Sequence, residues 1–152
     1  MSRLVFVLCA VALAGAAVGS AASPPPVALL TAVKAAPKQI EFRFRSAPLH
    51  VKAGYVQRSK VVQSGSGLPV KVSGSAFLVV RFSPASGADL SGKSMRIVYK
   101  GPTRLKPATA GPVREVARTS DFEADLAWVI GLDRKRPYHV VRHGSNVVVT
   151  VG

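Results

Sequence analysis

Three carboxylates at alternate positions are the arrangement in this sequence that comes closest to catalytic chemistry. Asp121, Glu123 and Asp125 lie two residues apart, and on a β-strand this spacing puts them on one face with about 7 Å between neighbours. Carboxylate pairs at about that separation do acid and base chemistry in glycoside hydrolases, but across a substrate cleft rather than in file along one strand. We therefore expect solvated acids or acids paired across the sheet, Glu123 with Arg118 for example. A small wall hydrolase using Asp121 and Glu123 is the less favoured alternative.

The other side chains with reactive chemistry are not spaced for metal binding or nucleophilic catalysis. His139 and His143 lie four residues apart, about 13 Å along a strand and too far to share a metal. His50 stands alone. The run Ser64–Gly67 lacks the glycine that precedes the serine of a nucleophile elbow, and it predicts a turn. We therefore predict no catalytic residue, no metal site and no cofactor.

The excess of basic residues favours a polyanionic partner. The chain has 21 Lys and Arg against 7 Asp and Glu, which attracts wall polymers carrying carboxylate or phosphate, anionic lipids and nucleic acid. Most basic residues are dispersed singly, as on a solvated surface. The candidate anionic-polymer binding residues are Arg104, Lys106, Arg134, Lys135 and Arg136. Nucleic acid is not expected, because the aromatic residues that alternate with basic ones face the core of a strand and offer no stacking platform.

The first residues have the features of a secretory signal peptide. Arg3 precedes an apolar run from Leu4 to Val18, and small residues before Ser23 form a cleavage site. The apolar run is shorter than the roughly twenty residues of a spanning helix, so we predict removal of residues 1–22, a secreted or envelope-associated protein and no transmembrane span; a retained anchor is the alternative. The remaining chain has no cysteine, since Cys9 lies in the run, and carries 20 basic against 7 acidic residues, a net charge of +13.

Composition divides the remaining chain into a spacer and one domain. Residues 23–38 begin with a proline triplet, which predicts an extended linker; the apolar VALLTAV within it could instead form a helical turn or an added edge strand. From residue 39 apolar and polar residues alternate, as in Ile40, Phe42 and Phe44, and this period of two is typical of half-buried strands. The domain is predicted to span residues 39–152.

The patterns across residues 39–152 predict an all-β sandwich or partly open barrel of eight or nine short strands. Residues 68–73 and 76–82 are expected to form a hairpin whose second strand is central, and residues 138–143 and 147–151 a C-terminal hairpin. Phe122–Ile130 is expected to be one core strand, with a helix as the alternative.

These residues resemble the AMIN-like domain of exported actinobacterial proteins, which is related to the AMIN domain of cell-wall amidases and secretins. The resemblance rests on Ile40–Phe44, Gly54-Tyr55, Gly65–Gly67, Ser83–Ala85 and above all Ser120–Glu123 with the residues that follow. It implies a single compact β-sandwich and binding to peptidoglycan or another envelope partner without catalysis. The family-signature residues, expected to be structural, are Asp121, Phe122, Glu123, Trp128, Gly131 and Tyr138. A subunit of an envelope complex, joined through an edge strand, is the alternative.

Overall fold

The computed structural model describes residues 22–152, which form β-strands and connecting loops. The predicted signal peptide covers residues 1–22, so all of it except its last residue lies outside the described residues. The described residues form twelve strands, of which eight have six residues or more; seven of these eight lie in residues 39–152, where eight or nine short strands were expected. The strands are β1 (Ala28–Ala35), β2 (Gln39–Phe44), β3 (His50–Val56), β4 (Ala76–Ser83), β5 (Ala85–Ser86), β6 (Ala88–Asp89), β7 (Arg96–Ile97), β8 (Arg104–Leu105), β9 (Val113–Phe122), β10 (Asp125–Leu132), β11 (Tyr138–His143) and β12 (Asn146–Val151). The all-β prediction is confirmed.

Two five-stranded sheets pack face to face around one core. The strand order is β11-β12-β2-β1-β5 in the first sheet and β3-β4-β10-β9-β8 in the second, while β6 and β7 form a small separate hairpin. Strand alternation sends one set of side chains from each sheet inward. At the centre, Trp128 packs against the rings of Phe42 and Tyr99, with centroid distances of 6.1 and 5.7 Å. The prediction of a β-sandwich is confirmed, and β4 is central as expected.

The predicted linker is wrong for its later part, because residues 28–35 form β1, which lies between β2 and β5 in the first sheet and not at its edge. Ala28, Leu30 and Val33 are buried in the core. The register of β1 against β2 shifts between Leu30 and Ala32, so the buried positions do not follow a period of two. This bulge hides the strand from a search for alternation, and the added-strand alternative is the one that the structure adopts.

The prediction of one strand from Phe122 to Ile130 is also wrong. Glu123 and Ala124 have positive φ angles of 50° and 58° and form a two-residue turn between β9 and β10, with Phe122 paired to Asp125. Two positive φ angles are typical of the hairpin turns that asparagine and glycine favour. Since neither residue stands here, the turn has no sequence signal, and the expected file of three acids on one strand face does not exist.

A loop of residues 57–75, the covering loop, lies over the outer face of the second sheet. Its Val61 and Val72 pack with Phe77, Ala117 and Val129 in a second apolar cluster. The expected strand at residues 68–73 is absent from the described chain, where the loop has one isolated bridge between residues 62 and 69. The loop lies over the face of the interior strands β4 and β10, which have no free edge, so residues 68–73 cannot pair with them as a further strand.

The C-terminal hairpin forms as predicted, with β11 and β12 joined through Gly144-Ser145. It also closes the open side of the sandwich, because Tyr138 Oη donates to the carbonyl of Ala53 (3.0 Å) and Arg142 donates to the carbonyl of Leu49 (3.1 Å). These side chains cover part of the free edge of β3, and this protection reduces unwanted strand pairing.

Candidate functional site

Six of the seven acidic residues are neutralised by an arginine within the described chain. Asp125 pairs with Arg81, which lies opposite Ala127 in the neighbouring strand. The remaining pairs are Glu41–Arg43, Asp89–Arg96, Glu115–Arg104, Asp121–Arg118 and Asp133–Arg136, at 2.7 to 3.0 Å. The other basic residues in 22–152, including every lysine there, have no carboxylate within 4.0 Å. The positive charge available to a partner therefore belongs to this unpaired set.

Two of the predicted cations, Arg134 and Lys135, border a pocket of about 490 Å³ at one end of the second sheet. We call it the Tyr55 pocket. The end of β3, the start of β4 and the loop between β10 and β11 form its walls. It is lined by Tyr55, Val56, Gln57, Ser75, Ala76, Phe77, Arg134 and Lys135.

The loop that carries these cations is fixed by its own hydrogen bonds. Asp133 accepts two hydrogen bonds from Arg136, both at 2.8 Å, and one from the backbone N–H of Arg134. The Arg136 guanidinium therefore holds the pKa of Asp133 far below its usual range. Tyr55 Oη donates to the carbonyl of Arg136 (2.6 Å) and accepts from its backbone N–H (2.9 Å). These hydrogen bonds fix the conformation of the loop, and its carboxylate, Asp133, is already paired with Arg136.

Two cations in the lining of the Tyr55 pocket keep their charge available to a ligand, and a third, Arg58, lies against the lining residue Phe77. The side chains of Arg134 and Lys135 are exposed, and Lys135 Nζ lies 5.3 Å from the centroid of the Tyr55 ring. Arg58 from the covering loop lies over the Phe77 ring at 4.5 Å and donates to the Gly74 carbonyl. Cations held against aromatic faces keep a defined position while remaining solvated. The pocket lining contains no carboxylate to compete for them.

The structure does not bring the five predicted cations together. Arg104 donates to Glu115 (2.7 Å) and borders a different pocket of about 370 Å³. Arg136 is occupied by Asp133, and Lys106 is exposed in the loop that contains β8. Only Arg134 and Lys135 among the five line the Tyr55 pocket.

Asp121 is held by three partners at the tip of β9. It accepts hydrogen bonds from the Ser86 hydroxyl (2.8 Å), the Gly87 backbone N–H (3.2 Å to each oxygen) and Arg118 (3.0 Å). A Cβ at residue 87 would lie 2.9 Å from Asp121 Oδ2, so glycine is required for this approach. Asp121 joins the β5–β6 segment to the second sheet. Glu123 lies in the next turn, and both carboxylates border one pocket of about 240 Å³, but the three hydrogen-bond partners of Asp121 give it a structural role.

The other family-signature residues occupy packing and turn positions. Trp128 is fully buried, and the backbone of Ser73 lies where a Cβ on Gly131 would be. Tyr138 packs edge-on against Tyr55 with 5.7 Å between ring centroids. Phe122 differs, since its side chain is 57% exposed beside the β9–β10 turn. It was expected to begin a core strand, but β9 ends at Phe122 and the turn follows it.

The described residues also give two findings on metals and membranes. Between residues 22 and 152 no group of three or more His, Cys, Asp or Glu side chains is arranged to hold a metal ion. No helix in the same range is long and apolar enough to cross a bilayer.

Sequence reasoning missed the aromatic part of the Tyr55 pocket. In the sequence Tyr55 stands out only as part of the Gly54-Tyr55 resemblance, and Phe77 and Arg58 do not stand out. The β3–β4 pairing puts Val56 opposite Phe77 and Tyr55 opposite Leu78, so Tyr55 and Phe77 lie on opposite faces of the second sheet and border the pocket together only at its end. The one local signal for the pocket is an aromatic residue, Tyr55, near the end of the edge strand β3.

The fold and the Tyr55 pocket define a class of protein, a small two-sheet β-sandwich with a cationic surface site. The model of the AMIN-like domain family matches residues 40–152. The chain belongs to the AMIN-like domain family, as the resemblance predicted. Domains of this family are non-catalytic binding domains, and membership suggests an envelope-associated domain. Comparisons with curated proteins and with solved structures found no match.

Proposed function

We propose that this chain is an exported, non-catalytic domain that binds an anionic polymer of the bacterial cell envelope, peptidoglycan or a polymer attached to it, at the Tyr55 pocket. The observation that carries this proposal is the pair of cations, Arg134 and Lys135, in the lining of a pocket whose nearby acid is already neutralised. A ligand with phosphate or carboxylate groups supplies the missing counter-charge. Family membership supports the envelope as the place where this happens.

The pocket geometry favours a flexible polyanion over a small tightly held ion. The two lining cations are solvated, so each contact with an anionic group is modest and falls with salt. A polymer presents many such groups, and simultaneous contacts raise the apparent affinity. The partly exposed Tyr55 ring adds flat surface against which a sugar or a glycerol unit can pack.

Retention on wall material tests this function. A chain of residues 22–152, which contains both sheets and the core between them, is mixed with purified peptidoglycan that still carries its anionic polymers, and the bound fraction is measured after centrifugation. We expect retention at low ionic strength and release at high salt, because screening removes the contacts. The absence of retention at low ionic strength would contradict the proposal.

The same assay separates the polymer from the glycan. Wall material stripped of its phosphate polymers keeps the carboxylates of the peptide stems. Weaker retention after stripping assigns the phosphate polymer as the ligand, and unchanged, salt-sensitive retention assigns peptidoglycan itself. A decrease in the turbidity of the wall suspension would instead support the hydrolase alternative, with Asp121→Asn and Glu123→Gln as its tests.

A further inference from the structure

Four of the eight large apolar side chains that are exposed in residues 22–152 gather at the end of the sandwich opposite the Tyr55 pocket. We call them the Met95 patch: Val27, Leu90, Met95 and Ile97, with exposed fractions between 40% and 67%. Leu90 borders two adjoining pockets, one that it shares with Met95 and Ile97 and one that it shares with Val27. Contiguous apolar surface of this kind marks an interaction site.

The patch is built on the β6–β7 hairpin, which projects from the two large sheets. Only two residues of each strand pair, and the loop between them carries Leu90 and Met95, each about two-thirds exposed. Lys93 lies between them in the loop. Apolar side chains at a hairpin tip, next to a basic one, suit the boundary between lipid headgroups and acyl chains, where an apolar side chain is buried and a lysine reaches the phosphates.

The charges around the patch are compatible with an anionic surface. Asp89 and Asp121 are each paired with an arginine. Lys93 and Lys100 are exposed without a carboxylate within 4.0 Å among the described residues, and Glu123 at the rim is the one acid there outside an ion pair. The local balance is therefore slightly positive, and the apolar side chains supply most of the attraction.

The chain reaches this end of the domain directly from its most apolar segment. Val27 belongs to the patch, and the apolar run in the sequence ends at Val18, so at most about 30 Å of extended chain separates them. A bilayer that receives the apolar run during export, or keeps it as an anchor, is within reach of the patch. The Tyr55 pocket lies at the other end of β10, eight residues and about 25 Å away.

We propose that the Met95 patch docks on the surface of an anionic lipid bilayer, with Leu90 and Met95 entering the interface and the Tyr55 pocket facing away from the membrane. This orientation is independent of whether the pocket binds a wall polymer, because the docking needs no ligand at the other end. A domain held in this way presents its cationic pocket outward from the membrane surface.

Vesicle binding tests the docking. Residues 22–152 are centrifuged with vesicles of phosphatidylglycerol and phosphatidylcholine in equal parts, and the partition coefficient is compared for wild type, Leu90→Ser/Met95→Ser and the control Leu68→Ser/Val141→Ser. The control removes two other exposed apolar side chains, so neither double variant opens the core. We expect a loss of about tenfold or more for the patch variant and less than about twofold for the control, because only the first loses buried apolar area.

A site-specific probe and a solution measurement complete the test. The chain from residue 22 has no cysteine, so an environment-sensitive dye on Ser94→Cys should shift to the blue with vesicles, whereas the dye on Ser64→Cys should not. Equal partitioning of both double variants, or no binding of wild type, would overturn the proposal. A dimer in solution that Leu90→Ser/Met95→Ser dissociates would also overturn it, since the patch would then be a protein interface.

Discussion

Individual arginine–carboxylate ion pairs determine which cations of this basic protein remain available to a partner. Asp121 is paired with Arg118 and Asp125 with Arg81, so two of the three acids that look most reactive in the sequence have structural partners. The residues left over, Arg134 and Lys135 among them, are the ones that can meet an external anion. The identity of these partners could not be predicted from sequence, because pairs such as Arg81 and Asp125 are 44 residues apart and meet only in the folded sheet.

Glu115 gives a pH-dependent prediction. Burial raises its pKa, but hydrogen bonds from the Ser73 backbone N–H and from Arg104 outweigh burial and leave the pKa below its ordinary value. A lowered folded-state pKa means stabilisation that is complete above the unfolded value of about 4.3 and is lost as the pH falls through the folded value. We expect Glu115→Gln to cost about 1–3 kcal/mol of unfolding free energy at neutral pH, and less in acid.

Urea unfolding followed by the fluorescence of Trp128, the one tryptophan, measures this effect at pH 7 and pH 3. Glu123→Gln is the control, because Glu123 is an exposed acid outside the six ion pairs, and it should change the unfolding free energy by less than about 0.5 kcal/mol. Equal stability of Glu115→Gln and wild type at pH 7 would show that the contact with the covering loop contributes nothing.

Gly131 gives a prediction on packing at the same contact. A Cβ at residue 131 would overlap the carbonyl oxygen of Ser73 and come within 2.8 Å of Val72 Cγ1. We expect Gly131→Ala to destabilise the fold by about 1–3 kcal/mol or more, because the covering loop must move. Gly54→Ala is the matched control, since no atom lies within 4 Å of its added Cβ, and its thermal midpoint should stay within a few degrees of wild type.

At the scale of the elements, strands with clean alternation were predicted well and those with local irregularities were not. β2, β4 and the C-terminal hairpin follow their apolar pattern. β1 was assigned to a linker because its bulge shifts the buried positions, and the β9–β10 hairpin was read as one strand because its turn contains no glycine or asparagine. Both failures come from backbone geometry that the side-chain pattern does not record.

The β9–β10 turn can therefore be improved by design. Glu123 and Ala124 both adopt positive φ, which costs about 1 kcal/mol for each residue other than glycine. We expect Glu123→Asn/Ala124→Gly to raise the unfolding free energy by about 1 kcal/mol, since this pair favours the turn that is present. In the other hairpin Gly144 already holds the positive φ of 58° and Ser145 does not share it, so Ser145→Gly should lower stability. Opposite outcomes would contradict the assigned turn geometry.

At the scale of the whole molecule, the sandwich and its family were predictable, whereas the grouping of the cations was not. The sequence does not distinguish Arg104 and Lys106 from Arg134 and Lys135 as candidate binding residues. In the folded chain Arg104 is paired with Glu115, whereas Arg134 and Lys135 line the Tyr55 pocket. The two surfaces of interest lie at opposite ends of β10, which lets one domain meet two different partners.

We propose that the Tyr55 pocket, rather than the net positive charge of the whole chain, binds the anionic polymer. Two double variants with the same net charge separate these explanations: Arg134→Ser/Lys135→Ser at the pocket and Lys93→Ser/Lys100→Ser at the far end of the sandwich. The dissociation constant of each for soluble poly(glycerol phosphate) at low ionic strength is the direct measurement. We predict an increase of about tenfold or more for the pocket variant, because two charged contacts are lost, and about twofold or less for the distant one. Equal increases would contradict the claim and assign binding to net charge alone.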